Sequence, residues 1–197
     1  MGSGKRTIKN ILKVAVSNLI NLLAGVLVGF LLPKIIGVTD YGYYKTFTLY
    51  ATYVGLFHFG IEDGIYLIYA GKNYDELDRK KFRFYGAFLM VLEGIISVIV
   101  AGVALAGLRG DMRFIFIGVA LYLFSLNIGN YYQFISQITS RFTELTVINI
   151  VKSTLTALSI VVMWLLHRYA STAIDYRIYV IVTIAIACIA MFTYFIL

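Results

Sequence analysis

Charge, histidine, cysteine and proline are all scarce in this chain of 197 residues. Only 14% of the residues are charged, against 60% that are hydrophobic, and there are two histidines, one cysteine and one proline. Soluble domains carry about 25% charged residues and are about 45–50% apolar. So few polar side chains cannot cover the surface of a soluble protein of this size, and the mean hydropathy of +0.85 says the same. A soluble enzyme, a soluble nucleic-acid binder and a disordered tail are excluded together. Cys188 stands alone inside an apolar run, so there is no internal disulfide and no second thiol for a metal. With only His58 and His167 there is no His-Glu-x-x-His zinc motif. Nor is there a Gly-x-Ser-Gly segment of an intramembrane serine protease, or the Asp-rich helix of an alcohol phosphatidyltransferase. The chain reads as a membrane protein that is not an enzyme and carries no cofactor.

What is abundant is apolar length. A hydrocarbon core of about 30 Å takes roughly 20 apolar residues per helix. Six runs meet that need, at residues 14–32, 44–70, 84–107, 114–138, 147–166 and 178–197. Alternating patterning in segments of about ten residues, the mark of an outer-membrane barrel, is absent. The expectation is an all-α bundle of six transmembrane helices forming a single domain over 1–197. The first run is preceded by basic residues but is too long for a signal-peptide core and lacks an A-x-A cleavage pattern. It is read as an uncleaved helix.

Net charge is +7, from 17 Lys and Arg against 10 Asp and Glu. The basic residues cluster between the apolar runs, which is topology information rather than a phosphate-binding stripe, so no nucleic-acid partner is expected. Eleven of the 17 fall on one side (Lys5, Arg6, Lys9, Lys13, Lys72, Arg79, Lys80, Lys81, Arg83, Arg141 and Lys152). Lys34, Lys45, Arg109, Arg113, Arg168 and Arg177 fall on the other. This bias places the N-terminus in the cytoplasm. The sixth run reaches Leu197 with no basic flank after it, which predicts the first half of a longer protein or a truncated reading frame.

Polar residues within the runs recur at helical spacing. Asn10, Lys13, Ser17, Asn21, Gly25 and Gly29 form one stripe, and Thr48, Thr52, Gly55, His58, Glu62, Tyr66 and Tyr69 another. Asn130, Gln133, Gln137 and Arg141 mark the fourth run, and Asn149, Lys152 or Ser153, Thr156 and Ser159 the fifth. Such faces avoid lipid, so they line a wet cavity or hydrogen-bond between helices. Gly25-x-x-x-Gly29 and Gly60-x-x-x-Gly64 fit close helix approach. Intramembrane charge costs about 2.5–3.5 kcal/mol per residue on insertion scales. Glu62 lies one helical turn from His58, near enough to pair, while its neighbour Asp63 points about 100° away. Glu93 is near mid-membrane. Both glutamates suit either a functional cavity or structural pairing with Lys45, Lys152 or His58. Lys152 either snorkels to the interface or serves the cavity.

The first third of the chain resembles a known family. A basic N-terminus leads into a helix with Ser17–Asn21 and Gly25–Gly29. A loop follows that reads Leu32-Pro33-Lys34-Ile35-Ile36-Gly37-Val38-Thr39-Asp40-Tyr41-Gly42-Tyr43-Tyr44, and then Leu56-Phe57-His58-Phe59-Gly60-Ile61-Glu62-Asp63-Gly64. These segments resemble the start of bacterial polysaccharide-biosynthesis flippases of the Wzx or O-antigen type, in the multidrug/oligosaccharidyl-lipid/polysaccharide exporter superfamily. Glu62-Asp63 departs from the family, which has small or uncharged residues there. The resemblance covers mainly residues 5–83; beyond that only helix number and spacing agree. It implies one six-helix lobe of a two-lobe plasma (inner) membrane transporter. By alternating access such a transporter moves an undecaprenyl-diphosphate-linked oligosaccharide for cell-surface polysaccharide and lipopolysaccharide synthesis. The implied partners are that lipid-linked oligosaccharide, membrane lipids, and a second lobe or second copy. The resemblance implies Lys13, Lys45, Arg141 and Lys152 for the pyrophosphate and Asn21, Asn130, Gln133 and Gln137 for sugar hydroxyls. His58, Glu62 and Glu93 are its candidates for a coupling proton or sodium ion. Two other classes compete with this reading: a membrane enzyme acting on lipid-linked sugars, and a noncatalytic assembly subunit of a polysaccharide synthase.

Overall fold

The computed structural model describes the backbone of residues 2–169 and 173–196, with side chains from Ile8 to Tyr194 except those of Lys9 and 170–172. The predicted cytoplasmic charges Lys5, Arg6 and Lys9 and the last residues of the predicted sixth run, 195–197, therefore lie outside the described side chains. Six helices account for nearly all of the described chain: α1 Gly2–Val54, α2 Ile61–Tyr69, α3 Arg79–Gly107, α4 Gly110–Ile138, α5 Phe142–Tyr169 and α6 Tyr176–Ile196. No strand occurs among the described residues. The fold is an all-α bundle.

The predicted loop between the first two runs is absent. α1 is 53 residues long with Pro33 inside it, and its one non-helical residue is Gly37, at φ 80° and ψ 169°. At 1.5 Å per residue this helix measures about 80 Å, more than two hydrocarbon cores laid end to end. The kink divides it into limbs 2–36 and 38–54. An apolar seam continues across the kink, with Leu32, Ile35, Tyr44, Phe47 and Val54 all buried, which is why helix resumes at once.

The predicted second run, 44–70, is not one helix either. α1 ends at Val54, residues 55–58 form a 3₁₀ turn, and Phe59 (φ 50°) and Gly60 (φ 73°) are both left-handed before α2 starts. Two left-handed residues in succession stop a right-handed helix; glycine takes that conformation freely and phenylalanine at a cost. α3 begins five residues earlier than predicted because Asp78 caps it, its carboxylate accepting the backbone N–H of Lys80 and Lys81 at 3.0 and 3.3 Å.

α4 is the central helix, packed against α1, α3 and α6, while α5 lies along α1. Two glycines let its neighbours approach. A Cβ on Gly86 of α3 would stand 3.0 Å from the Tyr131 ring, and one on Gly118 of α4 would stand 3.2 Å from Val180. The predicted close-approach pairs are different glycines: around Gly25, Gly29, Gly60 and Gly64 the space is open. Those sequence patterns mark faces left uncovered, not helix seams.

Among the described residues five stretches are long and apolar enough to cross a membrane, the first of them the 49-residue Asn10–His58. Leu23, Phe30, Leu67, Val98 and Phe192 are among the many large apolar side chains left exposed. This is the surface of a membrane protein. At the basic end Lys13 Nζ donates to Thr143 Oγ1 at 2.9 Å and the Gly71 N–H donates to the Ile138 carbonyl at 3.0 Å. At the opposite end the Tyr176 N–H and hydroxyl donate to Asp40 and Asp111 at 3.2 and 2.7 Å, and Arg177 pairs with Asp111 at 2.8 Å.

Candidate functional site

Two polar regions lie within the apolar bundle. The first is an open cavity of about 280 Å³ between α1, α4, α5 and α6. The first limb of α1 contributes Asn21, Gly25 and Gly29, whose missing side chains help to make the space. The second limb contributes Tyr41, Tyr44 and Lys45, at the i, i+3, i+4 spacing that puts side chains on one face. Lys45 Nζ lies 5.2 Å from the Tyr41 ring centroid, a cation–π contact. Tyr44 and Tyr179 pack edge to face, centroids 5.1 Å apart. Tyr122, Thr156, Thr183 and Lys152 complete the polar wall.

Three predicted substrate ligands, Asn21, Lys45 and Lys152, therefore meet in one cavity. Lys152 also borders an adjoining cleft of about 20 Å³ with Asn130, Gln133 and the unpartnered hydroxyl of Tyr194. α5 begins at Phe142, which puts Lys152 ten residues, or about 15 Å, into the helix. The remaining candidates lie elsewhere. Lys13 is held by Thr143 at the basic end. Arg141 pairs with Glu144 and covers the Tyr74 ring, beyond the end of α4. Gln137 is half-buried and lines neither space. The tyrosines of the cavity were not singled out from sequence, although the Tyr41, Tyr44 and Lys45 spacing carries the signal.

The second region is sealed. Glu62 of α2 is 1% exposed and Glu93 of α3 is 0% exposed. None of their four carboxyl oxygens has a hydrogen-bond partner among the described residues. The two carboxyls are near enough to interact electrostatically, and Asn127 of α4 lies alongside Glu93. The Asn127 amide donates to the carbonyl of Val54, the last residue of α1, at 3.2 Å, and leaves its own oxygen unpartnered. The end of α1 is thus tied, through the Asn127 amide, to the neighbourhood of Glu93.

The predicted pairing of Glu62 with His58 is overturned. The 3₁₀ turn and two left-handed residues between them interrupt the helix, and the imidazole Nδ1 instead accepts the N–H of Gly60 at 3.1 Å. Neither glutamate pairs with Lys45 or Lys152. Asp63 is exposed, as the 100° offset requires. A carboxyl buried without a donor calls for a proton or a cation as its partner, because an unpaired buried charge costs several kcal/mol. No family model, curated protein or solved structure matches this chain.

Proposed function

We propose that this chain is one lobe of a plasma-membrane flippase for a lipid-diphosphate-linked oligosaccharide, with its N-terminus in the cytoplasm. The observation that carries the reading is the cavity. Two lysines, an asparagine, two threonines and four tyrosines line one opening in a bundle that leaves many large apolar side chains exposed elsewhere. Lys45 and Lys152 suit a pyrophosphate as cations; tyrosine rings and amides suit sugar faces and hydroxyls. Gly25 and Gly29 leave the α1 wall open, the side on which a second lobe, or a second copy, completes the enclosure. Glu62 and Glu93 take the coupling role, binding a proton or sodium ion as the lobes alternate; His58, committed to Gly60, does not. No covalent step is involved.

The test is trans-bilayer movement of a labelled lipid-diphosphate oligosaccharide in vesicles holding the chain together with its second lobe. Movement that depends on Lys45 and Lys152 supports the reading. Absence of both movement and polyprenyl-diphosphate binding refutes it. Turnover of the lipid-linked sugar into a new covalent product shows a membrane enzyme instead. Fusion of a reporter active only in the cytoplasm to the N-terminus checks the orientation, and a silent reporter reverses it.

A further inference from the structure

A third space, larger than the cavity and the cleft described above, belongs to neither of these regions. It is a groove of about 600 Å³ between the start of α3 and the end of α4, at the basic end. Arg79 and Arg83, one helical turn apart, stand at its mouth, both exposed and neither with an acidic partner. Its floor is apolar and aromatic, with Phe82, Met90, Tyr132 and Ile135. The groove exists because Gly86 lets Tyr131 come against α3, where the Tyr131 hydroxyl donates to the Phe82 carbonyl. From Arg79 to Met90 it runs eleven residues, or about 16 Å, half of a hydrocarbon core of about 30 Å. The groove therefore combines a cationic mouth with an apolar trough one leaflet deep.

The geometry points to an anionic diacyl phospholipid as its occupant. The phosphate sits between Arg79 and Arg83, and an acyl chain lies along Phe82, Ala87, Met90 and Ile135. Charge complementarity selects the headgroup: two unpaired guanidiniums favour a phosphodiester that brings no cation of its own over a zwitterion. The depth selects the tail. Lys80 and Lys81 carry the same charge on the same turn but do not line the groove, so the site depends on which basic residues are present and not on how many. This inference stands apart from the flippase reading and survives its failure.

The experiment is native mass spectrometry of the full chain, released from mixed micelles that contain phosphatidylglycerol or phosphatidylcholine. Phosphatidylglycerol is expected to be retained at least fivefold over phosphatidylcholine. The double variant Arg79→Gln with Arg83→Gln removes that preference, whereas Lys80→Gln with Lys81→Gln, matched in charge, keeps it. Ala87→Trp fills the trough without touching charge and lowers retention of phosphatidylglycerol. Equal losses in the two charge-matched pairs, or equal retention of both lipids, overturn the site. Displacement by glycerol phosphate alone shows an anion site without a lipid trough and also overturns it. So does displacement by equimolar polyprenyl diphosphate that the Arg pair abolishes, which assigns the groove to the transported lipid. If Ala87→Trp is not monodisperse, the two charge-matched pairs decide alone.

Discussion

The two polar regions of the bundle solve the same problem in opposite ways. The open cavity keeps its charges, Lys45 and Lys152, beside tyrosines and an opening, and the Lys45 ammonium lies over a ring face. The sealed region buries Glu62 and Glu93 completely, with the Asn127 amide beside Glu93 and no cation paired with either among the described residues. Charge in the first is ready for an exchangeable anionic ligand. In the second, the proposed coupling role calls for a partner as small as a proton or a sodium ion. The contrast teaches that intramembrane charge of the two signs is handled separately here: no ion pair joins the lysines to the glutamates, although all four lie within apolar runs of the sequence.

Removing the sealed carboxyls is the sharpest way to break this comparison. Glu62→Gln with Glu93→Gln should lower coupled transport at least 100-fold while leaving thermal unfolding in detergent unchanged or raised, since an unpaired buried acid does not stabilise the fold. A large fall in the unfolding temperature would mean that the carboxyls are structural after all. Next in size, Lys45→Gln with Lys152→Gln should weaken binding of a polyprenyl diphosphate by about 2–4 kcal/mol, measured by titration. The wild-type affinity should also fall as salt rises, because the cavity is open. Smaller again is the effect on packing. Gly118→Leu, pressed against Val180, should cost about 1–3 kcal/mol of stability, whereas Gly25→Ala in the open wall should stay within about 0.5 kcal/mol. Equal costs would show that the cavity wall is a helix seam. Least of all, Lys13→Gln should leave diphosphate binding unchanged, because its ammonium is held at Thr143.

Much of the bundle was legible because it rests on local periodicity. The apolar runs from residue 84 onward became α3 to α6, and the polar stripe through Asn21, Gly25 and Gly29 faces the cavity as its spacing required. The errors came where tertiary contact overrules local signals. Pro33 and Gly37 read as a loop, yet a continuous buried seam through Leu32, Ile35 and Tyr44 keeps the chain helical on both sides. The run 44–70 keeps its polar residues at helical spacing from Thr48 through Glu62 to Tyr69, so periodicity carried no sign of the break at Phe59 and Gly60. Once the helix breaks there, i to i+4 geometry no longer links His58 and Glu62, and that pairing fails with it. The glycine patterns misled for a related reason: spacing identifies small residues but not whether a partner helix comes to meet them. Gly86, outside any such pair, is the one that Tyr131 touches.

The limb 38–54 touches both polar regions. Near one end it holds Tyr44 and Lys45 in the cavity wall; at the other, the Val54 carbonyl takes the Asn127 amide beside Glu93. Nine residues of uninterrupted helix separate Lys45 from Val54, about 14 Å of stiff rod. A rod displaced at one end is displaced at the other, so under the proposed function the lipid in the cavity and the ion at the carboxyls would press on a shared lever. Thermodynamic linkage then fixes the sign and size of the exchange: any gain in ion affinity caused by the lipid must be matched by an equal gain in lipid affinity caused by the ion.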